Sequence, residues 1–327
     1  MKNKKFVKIS VNTGIIILIL FSIIQASCTY FVYTGFGPVK PENNPDSPAC
    51  IIDPKSTHHS DNPLSIKNHE EKERCFPWLL SVCETVSIKS FDGLNLNARL
   101  ALQPDNHNYV ILMHGYRDST KNVSMYAKKF YEKGFNILVP GQRGHGWSQG
   151  KFVDMSAFTP YDVKSWIEFI NEKDPLAKIA LWGISMGGST VMQATGLDLP
   201  SNVVCCVEDC GFTSIWDEFV YQIDTFYHLP GELLMNVFQL YISRHLKIDC
   251  KKVSALNAVT KSKIPTLFIH GDIDDYVPFY MLDILYDAAA CPKEKLVIKG
   301  ATHARSVFAE PDRYWDTVFA FTDRYFN

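Results

Sequence analysis

The rhythm of apolar residues from position 109 onward limits what this chain can fold into more than any other feature. Short apolar runs recur at 109–113, 135–139, 179–182, 203–207, 266–269 and 296–298. Segments that fit helices separate them, at about 123–133, 161–171, 186–195, 280–289 and 311–325. Strands that alternate with helices build a parallel sheet covered on both faces. Upstream, Val86-Ser87-Ile88 and residues 94–102 alternate with period two around Asp92-Gly93, which signals a hairpin leading into that sheet. The expected class is therefore α/β, with a mostly parallel central sheet. The chain has 327 residues, 46% of them apolar, enough for a large core. Burial of roughly 75% of the unfolded chain's surface is typical at about 300 residues.

One stretch breaks the rhythm. Residues 211–260 lie between two strands and carry Trp216, Phe219, Tyr221, Phe226, Tyr227, Leu233, Leu234, Phe238 and Tyr241. An aromatic-rich helical insertion at this place is expected to form a cap over the site.

The N-terminus has its own logic. Lys2, Lys4, Lys5 and Lys8 precede an apolar run at 14–24 that continues more weakly through 29–33. This pattern belongs to a membrane anchor or to a cleaved signal peptide. With its polar interruptions the run reaches about 20 residues, enough to span a bilayer. Basic residues stay on the cytoplasmic side, so the rest of the chain is expected outside the cytoplasm. The anchor is preferred, with secretion after signal cleavage as the alternative. Ala26-Ser27-Cys28 loosely resembles a lipidation motif, but Gln25 stands where that motif takes an aliphatic residue. Residues 38–73 are polar and hold Pro38, Pro41, Pro45, Pro48, Pro54 and Pro63. They read as a stalk with a helical turn near 68–74. The expected organisation is thus an anchor or signal at 1–37, a linker at 38–73, and an α/β domain at 74–327 with its cap at about 211–260.

Composition excludes some partners. A formal net charge of −2, without a dense basic stretch beyond the N-terminus, gives no footprint for nucleic acid. The nine cysteines lack the Cys-x-x-Cys spacing of metal ligands. Cys205 and Cys206 read as buried thiols in a strand, while Cys50, Cys75 and Cys83 are the better disulfide candidates. His58-His59 lacks fitting acidic or cysteine neighbours and reads as a solvated loop. Neither a metal nor another cofactor is expected.

The chemistry enters at Gly183-Ile184-Ser185-Met186-Gly187. A Gly-x-Ser-x-Gly pattern between a strand and a helix makes a turn so sharp that the residues two away from the serine must lack bulk. The turn presents the Ser185 hydroxyl to the helix N-terminus. A serine hydroxyl needs a base to act at neutral pH, and that base needs an orienting acid. In this arrangement the chain order is serine, acid, histidine. Of the ten histidines only His303 lies beyond the late strand at 266–269 and its acids, and it follows the last strand. Asp274 is the leading acid, Asp275 and Asp209 are alternatives, and Asp272 fits a turn stabiliser. An oxyanion hole needs two backbone N–H donors, expected from Met186 and, after the strand at 109–113, from Tyr116. His114 then braces that loop. The glycine-rich Gly141-Gln142-Arg143-Gly144-His145-Gly146 lacks the spacing of a phosphate cradle and reads as a structural turn.

Together these residues resemble the α/β-hydrolase superfamily, and within it the membrane-anchored bacterial cell-surface hydrolases related to serine aminopeptidase-like hydrolases. The resemblance rests on Ser90-Phe91-Asp92-Gly93-Leu94, His114-Gly115-Tyr116, Arg143-Gly144-His145-Gly146-Trp147-Ser148, the Ser185 turn, His270-Gly271-Asp272-Ile273-Asp274-Asp275-Tyr276-Val277-Pro278 and Gly300-Ala301-Thr302-His303-Ala304. It implies an α/β-hydrolase fold with a helical cap, and hydrolysis of an ester or amide. In the group's Asp-x-x-Val-Pro pattern the first Asp is the acid, which falls on Asp274. Gly141 departs from the group, whose members usually carry Asp there. The cap's aromatic residues favour a carboxylic ester with an apolar acyl or aromatic part. A peptidase is the alternative, with Asp217 and Glu218 to receive a substrate amino group. A catalytically inactive surface binding module is the third expectation. The partner is a small-molecule or peptide substrate.

Overall fold

The computed structural model describes residues 11–38 and 62–326. The lysine cluster at 2–8, Cys50, His58-His59 and most of the expected stalk lie outside these residues. In chain order the elements are α1 (Val11–Phe36), α2 (Pro63–Val82), β1 (Glu84–Lys89), β2 (Asn95–Ala101), β3 (Asn108–Met113), α3 (Ser124–Glu132), β4 (Asn136–Pro140), α4 (Thr159–Lys173), β5 (Lys178–Ile184) and α5 (Met186–Thr195). They continue with β6 (Val203–Asp209), α6 (Ile215–Phe226), α7 (Gly231–Leu246), α8 (Ala255–Val259), β7 (Thr266–Gly271), α9 (Tyr280–Ala288), β8 (Lys293–Ile298), α10 (Ser306–Ala309) and α11 (Pro311–Phe326).

The eight strands form one sheet in the order β1-β2-β4-β3-β5-β6-β7-β8. The β1–β2 and β2–β4 pairs are antiparallel and the others parallel. Alternate residues of each inner strand face opposite layers. Val110, Leu112 and Trp182 join Phe130, Trp315 and Phe321 on one side. Ile111, Met113 and Leu181 join Trp166, Ile167 and Ile170 on the other. Strand order reverses between β3 and β5, where Met113 stands beside Gly183. Open α/β sheets bind ligands in the crevice at the carboxyl ends of such strands. The loops after β3 and β5 are therefore neighbours because of topology, not sequence.

The linker expected at 38–73 is corrected over its last part. Residues 63–82 form a 20-residue helix. Asn62 caps it, its side chain accepting from the Leu64 amide at 2.9 Å, and Pro63 occupies the first turn. Cys75, Phe76 and Leu79 are buried in the same cluster as Phe130 of α3, which anchors the helix to the domain. The boundary at 73/74 falls inside this helix. Cys75 and Cys83 are free thiols.

The segment expected as a cap is helical, α6 to α8, between β6 and β7. The end of α1 packs on it. The Phe31 ring stacks on Phe238 at 4.2 Å and meets Phe219 edge-on at 5.4 Å. Cys28 and Phe36 are buried in the same cluster, and the Thr29 hydroxyl lies 3.0 Å from that of Tyr241. Further back, Ile15, Ile16, Leu18, Ile19, Leu20, Phe21, Ile23 and Ile24 are exposed. The stretch Leu18–Phe36 is long and apolar enough to cross a bilayer, compatible with a signal anchor or a signal peptide.

Candidate active site

Ser185 sits between β5 and α5 at φ 57° and ψ −123°. Non-glycine residues rarely adopt this backbone, at a cost of about 1–3 kcal/mol. The flanking glycines explain how the turn closes. A Cβ at Gly183 would lie 2.2 Å from the Gly187 carbonyl oxygen, and one at Gly187 would lie 2.1 Å from that of Met113. The Ser185 amide donates to the Asp209 carbonyl at 2.8 Å, tying the turn to β6. Met186 opens α5, where helix geometry leaves the first amides without intrahelical acceptors.

His303 follows β8. Its Nε2 lies 2.8 Å from Ser185 Oγ, and its Nδ1 lies 2.7 Å from Asp274 Oδ2. An ionised carboxylate only accepts, so the Nδ1 proton faces Asp274 and the Nε2 lone pair faces the serine hydroxyl. Asp274 follows β7 and is buried. Its Oδ1 accepts from the Tyr276 and Val277 amides, each at 3.0 Å. Burial alone would raise the Asp274 pKa. His303 and His270 outweigh it and hold the carboxyl below the usual carboxylate range.

The other acids lie elsewhere. Asp272 accepts from the Gly300 amide at 2.6 Å, stabilising the turn. Asp275 is exposed, and its carbonyl accepts from the Tyr221 hydroxyl at 2.9 Å. Asp209 is buried beside Ser306, whose hydroxyl donates at 3.3 Å, and burial pushes its pKa up to about 6. Asp217 accepts from the Thr213 hydroxyl at 2.7 Å. Glu218 is 4% exposed. Its Oε1 accepts from Gln222 at 2.8 Å, and Oε2 has no partner among the described residues. Burial pushes its pKa up to about 8.

The loop after β3 lies against Ser185, where a Cβ at Gly115 would sit 3.4 Å from the serine Cβ. His114 braces it. Its Nδ1 donates to the Gly115 carbonyl at 2.9 Å, and its Nε2 accepts from the Gln142 amide at 3.1 Å. Burial lowers its pKa to about 3, so it is neutral. The glycine-rich turn is held by Arg143, which donates to Asp162 at 2.7 Å and to Asp92 at 2.9 Å.

Three neighbours escaped sequence reasoning. His270 Nε2 lies 3.0 Å from the Val277 carbonyl and 3.2 Å from Asp274 Oδ2, so the acid has a second histidine. Cys210 Sγ clusters with the ligating atoms of Asp274 and His303 within 4.8 Å, and burial drives its thiol pKa well up. The Tyr276 ring lies 4.9 Å from that of His303. His270 stood in the Gly-Asp motif but served only to be eliminated as the base. Tyr276 stood in the same motif without an assigned role, and Cys210 gave no signal.

An eight-stranded sheet of this order, with a strained serine at its crevice, defines an α/β-hydrolase. The chain has the α/β-hydrolase fold and is a hydrolase, of the esterase-like or peptidase-like kind. Residues 104–247 match the family described as serine aminopeptidase, S33. YqkD of Bacillus subtilis is 26% identical over 237 residues, covering 72% of this chain and 78% of the relative. Among solved structures, the Pyrococcus furiosus esterase Pf2001 superposes with a TM-score of 0.63 at 23% identity, covering 77% of this chain and 94% of the esterase. The acylaminoacyl peptidase of Pyrococcus horikoshii superposes at 0.57 with 17% identity, covering 74% of this chain and 41% of the peptidase. At these identities the two structures speak for the fold alone.

Proposed function

We propose that this protein is a membrane-anchored serine esterase that works through Ser185, His303 and Asp274. The observation that carries the reading is the His303 ring, bonded to Ser185 at 2.8 Å and to Asp274 at 2.7 Å. His303 takes the hydroxyl proton as Ser185 Oγ attacks the ester carbonyl. The amides of Met186 and Tyr116 stabilise the oxyanion. The tetrahedral intermediate collapses to an acyl-enzyme, and the alcohol leaves with the proton from His303. Water then gives a proton to His303 as it attacks the acyl carbon, and His303 passes that proton to Ser185 Oγ as the acid leaves. The apolar cluster that holds Met186, next to Ser185 in the chain, together with Phe212, Ile215 and Val277 supports an apolar acyl group. Helix α1 serves as the anchor, with the catalytic domain at 74–327 outside the cytoplasm, α2 as part of that domain's packing, and α6 to α8 as its cap.

One observation favours a second reading, hydrolysis of an N-terminal aminoacyl amide. The buried Glu218, with one carboxyl oxygen unpartnered, has the chemistry to bind an ammonium group. With a pKa of about 8 it is mostly protonated at neutral pH, and so favours the amine only at higher pH. Fluorophosphonate labelling of the full chain tests the shared chemistry. Wild type should label and Ser185→Ala should not. A panel of p-nitrophenyl esters and aminoacyl p-nitroanilides then separates the readings. Faster turnover of anilides with a free amine would replace the esterase, and labelling that survives Ser185→Ala would sink both.

A further inference from the structure

We propose that the last turn of α1 is a working part of the active site, because it holds the Tyr116-Arg117 loop that carries an oxyanion donor. The inference rests on the serine-hydrolase reading above. An α-helix leaves its final carbonyls without intrahelical donors. In α1 those carbonyls are met by the loops at the crevice. The Tyr116 hydroxyl lies 2.9 Å from the Gly35 carbonyl and 3.0 Å from that of Thr34. The Val153 amide donates to the Phe36 carbonyl at 2.8 Å. Arg117 Nη2 lies 3.5 Å from the carbonyls of Tyr33 and Gly37, a cation at the negative end of the helix dipole.

A second set of contacts holds α1 sideways. Cys28 and Phe36 share one buried cluster with Met186, the residue after the nucleophile, and with Met235, Phe238 and Ile242 of α7. The helix is thereby fixed to both the cap and the oxyanion loop. An oxyanion donor works only when held to within about 0.5 Å of its productive place. The Tyr116 ring is a rigid strut with its hydroxyl tethered to α1 at one end and the peptide of the oxyanion loop at the other. Gly115, one residue before, lies against Ser185. Loosening the strut moves the Tyr116 amide and leaves the triad in place.

The test uses the full chain in phosphatidylcholine vesicles, with p-nitrophenyl butyrate as substrate and active sites counted by fluorophosphonate. Tyr116→Phe keeps the ring and the amide but loses the tether. Its kcat per titrated site should fall about tenfold, a part of the 10²-fold that about 1 Å of misplacement costs. KM should hold, and affinity for a trifluoromethyl ketone, whose adduct carries an oxyanion, should fall with kcat. Phe31→Ala, which touches the cap and not the chemistry, should move the same two quantities in the same direction. Tyr30→Ala, at a position 71% exposed on α1, should leave both unchanged. If Tyr116→Phe does not fold, Phe31→Ala decides. Wild-type kcat per site in either variant, or a fall in kcat without loss of ketone affinity, overturns the proposal. Activity retained in Ser185→Ala would instead refute the underlying reading.

Discussion

At the scale of single residues, two kinds of buried group meet at the crevice. Asp274 is buried as an anion because two histidines and two amides compensate it. Glu208, on the neighbouring β6, has one oxygen bonded to the Gly211 amide at 2.9 Å and the other unpartnered among the described residues. Burial pushes its pKa up to about 8. Raised above the unfolded value, such a group favours the folded state fully below pH about 4.3, and that contribution is lost as pH rises towards 8. Glu208→Gln cannot ionise, and its amide oxygen can still accept from Gly211. The variant should therefore lose less stability than wild type between pH 5 and pH 8. The difference is of the order of a few kcal/mol, or about 5 °C in Tm. Parallel Tm–pH curves for the two proteins would refute this. Such residues also mark the limit of sequence reading. Gly183, Ser185 and Gly187 were legible because their spacing is local. The second histidine on Asp274 was not, because it depends on how the turn after β7 folds back.

Elements were legible where burial is periodic and illegible where it is sparse. The six apolar runs from position 109 became β3 to β8, because strands covered on both faces need continuous apolar sequence. Helix α2 gave no such pattern. Its sequence is rich in Glu and Lys, and its buried apolar side chains lie in its second half. Cys75, Phe76 and Leu79 fall within little more than one turn and pack where Phe130 and Trp315 form the core. Leu79 is fully buried, so Leu79→Ala should destabilise the folded chain by about 2–5 kcal/mol. Urea denaturation would read this as a lower midpoint at unchanged slope. A midpoint equal to that of wild type would mean that the Leu79 contact of α2 adds nothing to the fold.

At the scale of the whole molecule, the question is whether α1 stays with the mature chain. A cleaved signal leaves behind a surface that was never built to receive it. Here the opposite holds, since Phe219, Met235, Phe238 and Ile242 are packed with Cys28, Phe31 and Phe36. Removing α1 would strip an apolar patch beside the site, and patches of that kind are rare on soluble monomers. The helix also leaves little slack. The sequence has 19 residues between Lys8 and the docked Cys28, about the 20 that a helix needs to cross a bilayer's hydrocarbon core. The domain should therefore rest against the membrane, with the Tyr116 loop at the bilayer surface. Two measurements on the protein from its native membrane check this. Intact mass should show a chain that keeps the residues ahead of Cys28, and alkaline carbonate should fail to release it. A released chain beginning at or after residue 38 would contradict the anchor, and a lipidated chain beginning at Cys28 would keep the docking surface but move the attachment from a helix to an acyl chain.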